Sequence, residues 1–255
     1  MGSGWWIKDG RWKIEDGKIE DGKRASIVLD DFDRNSYFPA HMDANLIADG
    51  LIFYLGLVTL LTFHEFGHAW MAWKCGDDTA KLQGRVSLNP LVHIDPIGTV
   101  VMPLLMIFLL PPSVGRFLVG WAKPVPVKLS NLRNRNMDDI LVTLAGPWMN
   151  LMLAVVLVAM AKVGVMAHSP SVVELCINMA RLSLLLFFFN LLPIPPLDGS
   201  RVARVLVGMS YETYYHISRF GFIILIVVIQ IPAIRETMSR LTEGSLTIIS
   251  GWFGI

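Results

Sequence analysis

The segment Phe63-His64-Glu65-Phe66-Gly67-His68 carries two imidazoles four positions apart, with a carboxylate next to the first. On a helix, residues i and i+4 project from one face, so His64 and His68 can grip one zinc ion. Glu65 is angled beside them, placed to take a proton from a water that the ion polarises. The flanks sharpen this reading: residues 51–62 are almost wholly aliphatic or aromatic, and residues 69–73 continue the apolar run. A soluble metalloprotease helix would need a polar face here. Ionisable groups inside so apolar a segment are costly, and they need a compensating partner such as a metal.

A hydrolytic zinc site takes three protein ligands and leaves a fourth position for water. The third donor offered by the sequence is Asp198, 130 residues beyond His68, at the end of Asn190-Leu191-Leu192-Pro193-Ile194-Pro195-Pro196-Leu197-Asp198-Gly199. Pro193, Pro195 and Pro196 cannot continue a regular helix, so the backbone unwinds at membrane depth or its edge, which is tolerated where it lines a polar cavity or is covered by protein. Gly199 permits a turn beside Asp198. Asp198 can equally cap the helix that follows, and the two roles are compatible. Asn150 can donate to an oxyanion or hydrogen-bond across helices, and Asn190 is a second amide of the same kind. His93 is a lone loop histidine and reads as a hydrogen-bonding residue; Cys75 reads as a free thiol at the membrane edge.

The elements that must position these groups are membrane spans. With 255 residues, 53% hydrophobic and 17% charged, and a mean hydropathy of +0.52, the chain has the composition of a multi-pass membrane protein. Spans are expected at about 45–73, 139–163, 172–192 and 214–231, and the apolar run 97–110, broken by Pro111-Pro112, is either a short crossing or a re-entrant piece. The connection 74–95 reads as short extended pieces with turns. Residues 1–43 form a polar tail in which Ile7-Lys8-Asp9-Gly10-Arg11 recurs as Ile14-Glu15-Asp16-Gly17-Lys18 and Ile19-Glu20-Asp21-Gly22-Lys23. Asp-Gly between short alternating stretches is a hairpin signal, so a small β-ribbon is expected. No apolar stretch precedes residue 44, and no cleavable signal peptide is expected. Residues 44–232 form the membrane core, and 233–255 read as an interfacial amphipathic helix or a short sixth span.

Charge adds an orientation. The tail carries seven Lys or Arg against nine Asp or Glu, whereas residues 113–136 carry five basic residues and no acidic one. The positive-inside rule then puts 113–136 in the cytoplasm and the tail outside, with the histidine pair in the inner half of the first span. The net charge of +1 and the lack of a basic stripe interleaved with aromatics argue for no nucleic-acid partner. Cys75 and Cys176 follow no metal or redox spacing.

Four motifs in order, His64-Glu65-x-x-His68, residues 120–127 (Gly-Trp-Ala-Lys-Pro-Val-Pro-Val), Ala145-Gly146-Pro147-x-x-Asn150, and Asn190-x-x-Pro193 leading to Asp198-Gly199, are together similar to the site-2 protease family of intramembrane zinc metalloproteases, in its compact prokaryotic branch. The similarity covers roughly residues 45–230. It implies an all-α polytopic fold with a three-helix catalytic core and additional spans, and one Zn2+ per chain on His64, His68 and Asp198 with Glu65 as catalytic base. It also implies cleavage of a transmembrane protein substrate near the cytoplasmic face of the cell membrane. Asn150, Asn190, Pro193, Pro195, Pro196 and Gly199 are the substrate or oxyanion candidates, with 193–196 expected to hold unwound substrate by edge pairing. No PDZ or CBS domain is recognisable. A homo-oligomer is compatible with the sequence. Two other readings stand beside this one: a catalytically silent scaffold of the same fold, and a metal or proton transporter, which should show a repeat among its spans that this sequence lacks.

Overall fold

The computed structural model describes residues 44–104 and 122–255, with side chains from residue 50, and the backbone of two short strands, β1 (Trp5–Lys8) and β2 (Arg11–Ile14). The strands pair antiparallel, Trp5 opposite Ile14 and Lys8 opposite Arg11. The Asp9-Gly10 pair, the later repeats of the tail, and residues 105–121, which hold the end of the apolar run 97–110 with Gly120 and Trp121, lie outside the described residues.

Among the described residues, three helices are long and apolar enough to cross a bilayer: α1 (Ala44–Lys74, of which Gly50–Lys74 qualifies), α3 (Arg135–Met166) and α4 (Pro170–Asn190). The α1 segment of 25 residues is about 37 Å long at 1.5 Å per residue, against roughly 30 Å of hydrocarbon. Helix α3 starts where Asn134 accepts from the Met137 N–H while Asp138 accepts from the Asn134 N–H, two donors satisfied reciprocally. Only residues 167–169 separate α3 from α4, so the two must run antiparallel side by side. They meet along small and branched side chains, Ala154, Val158 and Ala161 on one and Val173, Ile177, Ala180 and Leu184 on the other. Small residues there let the backbones approach closely.

The connection from α1 to α3 departs from the expected extended pieces. It holds a short helix, α2 (Thr79–Leu82), a 3-10 turn at Pro90–Val92 and a π turn at Pro96–Val101. Asn89 and Asp95 start the last two by accepting from N–H groups two or three residues ahead, and a proline follows each, already fixed at helical φ. Two buried charges fasten this connection. Asp77 accepts from Thr79 N–H, Thr79 Oγ1, Lys128 N–H and Asn131 Nδ2. Arg85 donates to the carbonyls of Val92, Lys123 and Pro124.

Beyond α4, the proline segment leads to α5 (Asp198–Leu206), α6 (Tyr211–Ser218), α7 (Gly221–Ile229) and α8 (Pro232–Trp252). The span expected at 214–231 is therefore two helices, bent by 61° at the break. The reason is composition: Glu212, His216 and Arg219 make the first half polar, and the apolar nine residues of α7 reach only about 14 Å. Helix α8 lies along α4 with Leu246 and Ile249 in the shared core, which Ile255 beyond its end also joins, and with Arg181 donating to Glu243 at 2.7 Å.

Candidate metal centre

Both histidines stand on α1 and are buried, and Asp198 opens α5. Across 134 residues of chain, His64 Nε2 lies 3.1 Å from Asp198 Oδ2. His68 Nε2 lies 3.3 Å from the same oxygen and 3.0 Å from His64 Nε2. Three lone-pair atoms thus face one point. Ligands on a tetrahedron around zinc at about 2.0–2.1 Å stand roughly 3.3 Å apart, so the triangle has the size of one face of that tetrahedron.

The surroundings fit the same conclusion. An imidazole that binds metal through Nε2 must carry its proton on Nδ1 and needs an acceptor there. The carbonyl of Val142 on α3 can only accept, and it lies 2.7 Å from His68 Nδ1. Asn150, fully buried on α3, has its amide 3.1 Å from His64 Nδ1, while its Oδ1 is buried with no partner. A half-turn of that amide puts the orphaned oxygen on Nδ1–H, the tautomer a metal requires. Gly146 completes the cradle: a Cβ there would press on His68 Nε2 and stand 2.7 Å from His64 Nε2. The residues present therefore suit a zinc ion.

Glu65 is half-buried and has no hydrogen-bond partner among the described residues. The lone histidine of the connection, His93, stays apart from the cluster, its Nε2 donating to Ser87 O at 2.8 Å. Burial first, and the Arg85 charge after it, push its pKa down. Cys75 is likewise separate, buried beside Ala72, Leu132 and Val142, and burial pushes its thiol up.

Asn190 donates from Nδ2 to Leu186 O at 2.9 Å, at the end of its own helix. Residues 191–197 fold into tight turns, Ile194 N–H to Leu192 O at 2.8 Å and Leu197 N–H to Ile194 O at 2.9 Å. Pro193, Pro195 and Pro196 have no N–H. The segment can therefore offer a substrate carbonyls only, and edge pairing, which exchanges donors and acceptors, is not what this backbone presents. Gly199 is pressed under Leu191 and Leu192, where a Cβ would stand 2.6 Å from Leu192 O.

Sequence reasoning missed two groups. The Val142 carbonyl is a backbone atom and leaves no mark in residue types. Asp139, 1% exposed, is paired with Arg201 and with Arg204 at 2.8 Å. Its only signal was an acid at the start of an apolar run.

The model of peptidase family M50 matches residues 52–167 and 158–228. A protein of Bacillus subtilis (strain 168) named zinc metalloprotease YwhC is 36% identical over 208 residues, covering 78% of this chain and 86% of its own. Another named zinc metalloprotease, Rip2 of Mycolicibacterium smegmatis, is 31% identical over 187 residues, 71% of this chain and 67% of its own. Rip2 of Mycobacterium tuberculosis is 35% identical over 147 residues, 56% of this chain and 52% of its own. No solved structure matches.

Proposed function

Because the chain belongs to peptidase family M50, we propose that it is a multi-pass membrane zinc endopeptidase that hydrolyses peptide bonds in or near the transmembrane segments of other proteins. The observation that carries this is the convergence of His64 Nε2, His68 Nε2 and Asp198 Oδ2 inside a bundle of apolar helices.

His64, His68 and Asp198 would hold the ion. When bound, zinc supplies Lewis acidity and lowers the pKa of a water at its open position. Glu65, with no partner to satisfy it among the described residues, accepts the proton of the attacking water and passes it to the leaving amine. Val142 and Asn150 keep the two rings turned so that both Nε2 atoms stay unprotonated. A helical substrate hides its carbonyls in its own hydrogen bonds and must unwind locally before cleavage. The carbonyls of 193–196 are acceptors for the N–H groups that unwinding frees, with the half-buried Asn190 as the amide donor toward the developing oxyanion and Gly199 keeping Asp198 close to that segment.

Within this reading, residues 44–232 are the peptidase core, 1–43 an external tail, and 233–255 a flanking helix. Five basic residues in 113–136 support a cytoplasmic-side active site in the cell membrane. The chain would then act in regulated intramembrane proteolysis, alone or as a homo-oligomer. The test is purified protein in detergent with a model transmembrane substrate, comparing wild type, Glu65→Gln and chelator-treated samples. Zinc-dependent cleavage that disappears in Glu65→Gln supports the peptidase; cleavage that persists in that variant, or none with zinc bound, defeats it.

A further inference from the structure

Three contacts that frame the histidine pair come from a single face of α3. Val142 takes His68, Gly146 makes room for both rings, and Asn150 takes His64. One turn before Val142 on the same face stands Asp139, since 139, 142, 146 and 150 are spaced by three, four and four. Its two carboxylate oxygens are divided between Arg201 and Arg204, both on α5, the short helix whose first residue is Asp198. Arg201 is three positions from Asp198 and Arg204 three further on, so one side of α5 carries the metal-facing carboxylate and both arginines.

Something must set the rotation of α5. The segment before it is a run of turns, its N-cap Leu197 has no side chain to bond, and nine residues are too few to hold an angle by themselves. Other contacts exist, Ser200 Oγ with Tyr214 OH at 2.9 Å and the Arg204 guanidinium 5.6 Å from the Tyr211 ring. These tie α5 to α6, however, and not to the helices that bear or orient the histidines. Helix α5 also packs along α3, and among the described residues the Asp139 pairs are what joins the two by charge. A buried carboxylate held by two guanidinium groups tolerates little displacement, because any movement leaves charge unpaired away from water.

We infer that Asp139 is a positioning residue for Asp198: through Arg201 and Arg204 it fixes α5 so that the third candidate ligand reaches the histidine pair, completing a single α3 face that orients all three. This rests on reading His64, His68 and Asp198 as a metal centre. It gives the acid at the start of α3 a role in metal affinity and not only in stability.

The test uses the full-length chain in detergent, titrated with Co2+ and read by its visible ligand-field bands, with zinc affinity measured by competition against a chromophoric chelator. Asp139→Asn is expected to weaken metal binding by about 10- to 100-fold, the usual effect of losing an outer-shell partner, and to lower the cobalt band intensity. Asp139→Glu, which keeps the charge, should recover most of both. In an Asp198→Ala background, Asp139→Asn should cause no further loss, because the ligand it positions is gone. An Asp139→Asn chain with wild-type spectrum and affinity overturns the proposal, as does an equal loss in both backgrounds, which would mark a purely structural role. If Asp139→Asn does not fold, Arg201→Gln, which leaves the Arg204 pair in place, should shift affinity the same way by less, and no shift overturns the inference. Wild type that binds cobalt normally and cleaves nothing defeats the peptidase reading but leaves this one standing; wild type that takes up no cobalt defeats both.

Discussion

Asn150 Nδ2 stands 3.1 Å from His64 Nδ1, from a position 86 residues further along the chain, and the amide oxygen beside it has no partner. If the amide works by accepting from Nδ1–H, what matters is an acceptor at that point and not the amide itself. Asn150→Leu, of similar size and without one, should lower zinc affinity by about 10- to 100-fold, whereas Asn150→Asp should stay within a few-fold of wild type. Chelator competition on the purified variants decides it; equal losses in both would mean that the amide acts elsewhere.

Gly146 sits inside α3, where alanine would favour the helix by about 1 kcal/mol. Its place is set by space: the missing Cβ would crowd Nε2 of both histidines. Gly146→Ala is expected to keep its helical circular dichroism and lose most of its bound zinc and its cleavage activity. A variant with full zinc content would show that the rings can shift aside.

Glu65 touches neither imidazole through a hydrogen bond. Glu65→Gln should therefore bind zinc as wild type does while cleavage falls by about 100- to 10,000-fold, the range for a general acid–base group. Zinc removal by chelator should abolish cleavage in wild type, and added zinc should restore it. Loss of zinc on Glu65→Gln would assign the carboxylate to the metal instead.

Asp77 fixes the α1–α3 connection from outside the spans. Burial opposes its ionisation, but hydrogen bonds from Thr79, Lys128 and Asn131 outweigh it and hold its carboxyl below the usual carboxylate range. Because the folded-state pKa is the lower one, its stabilisation is complete above the unfolded value near 4 and is lost as pH falls through the folded value. Asp77→Asn should thus be less stable than wild type by about 1–3 kcal/mol at neutral pH, with the difference shrinking below about pH 4. Thermal unfolding across that range measures it, and a difference independent of pH would contradict the assignment.

How much could be read in advance differs from residue to residue. The bend of 61° between α6 and α7 was hidden because a window of apolar residues counts length but not the polar face of Glu212, His216 and Arg219. The turns of the connection after α1 were hidden because Asn-Pro and Asp-Pro mark a break without saying whether the chain then extends or winds. Asp139 carries no mark in the sequence because an acid near a span end is usually solvated, and only its two arginines, 62 and 65 residues away, show otherwise.

By itself the sequence determined the chemistry on offer: two imidazoles one helical turn apart, an acid beside them, a second acid after a proline break, and segments apolar enough to cross a bilayer. These follow from residue type and local spacing, which helical periodicity and the cost of burying charge convert directly into expectations. Only the tertiary structure decided which side of α3 meets the rings, that a backbone carbonyl and the Asn150 amide stand at their Nδ1 atoms, and that Asp139 grips the helix of Asp198. Those contacts join residues far apart in the chain, and their strength depends on distances and directions that no local pattern encodes.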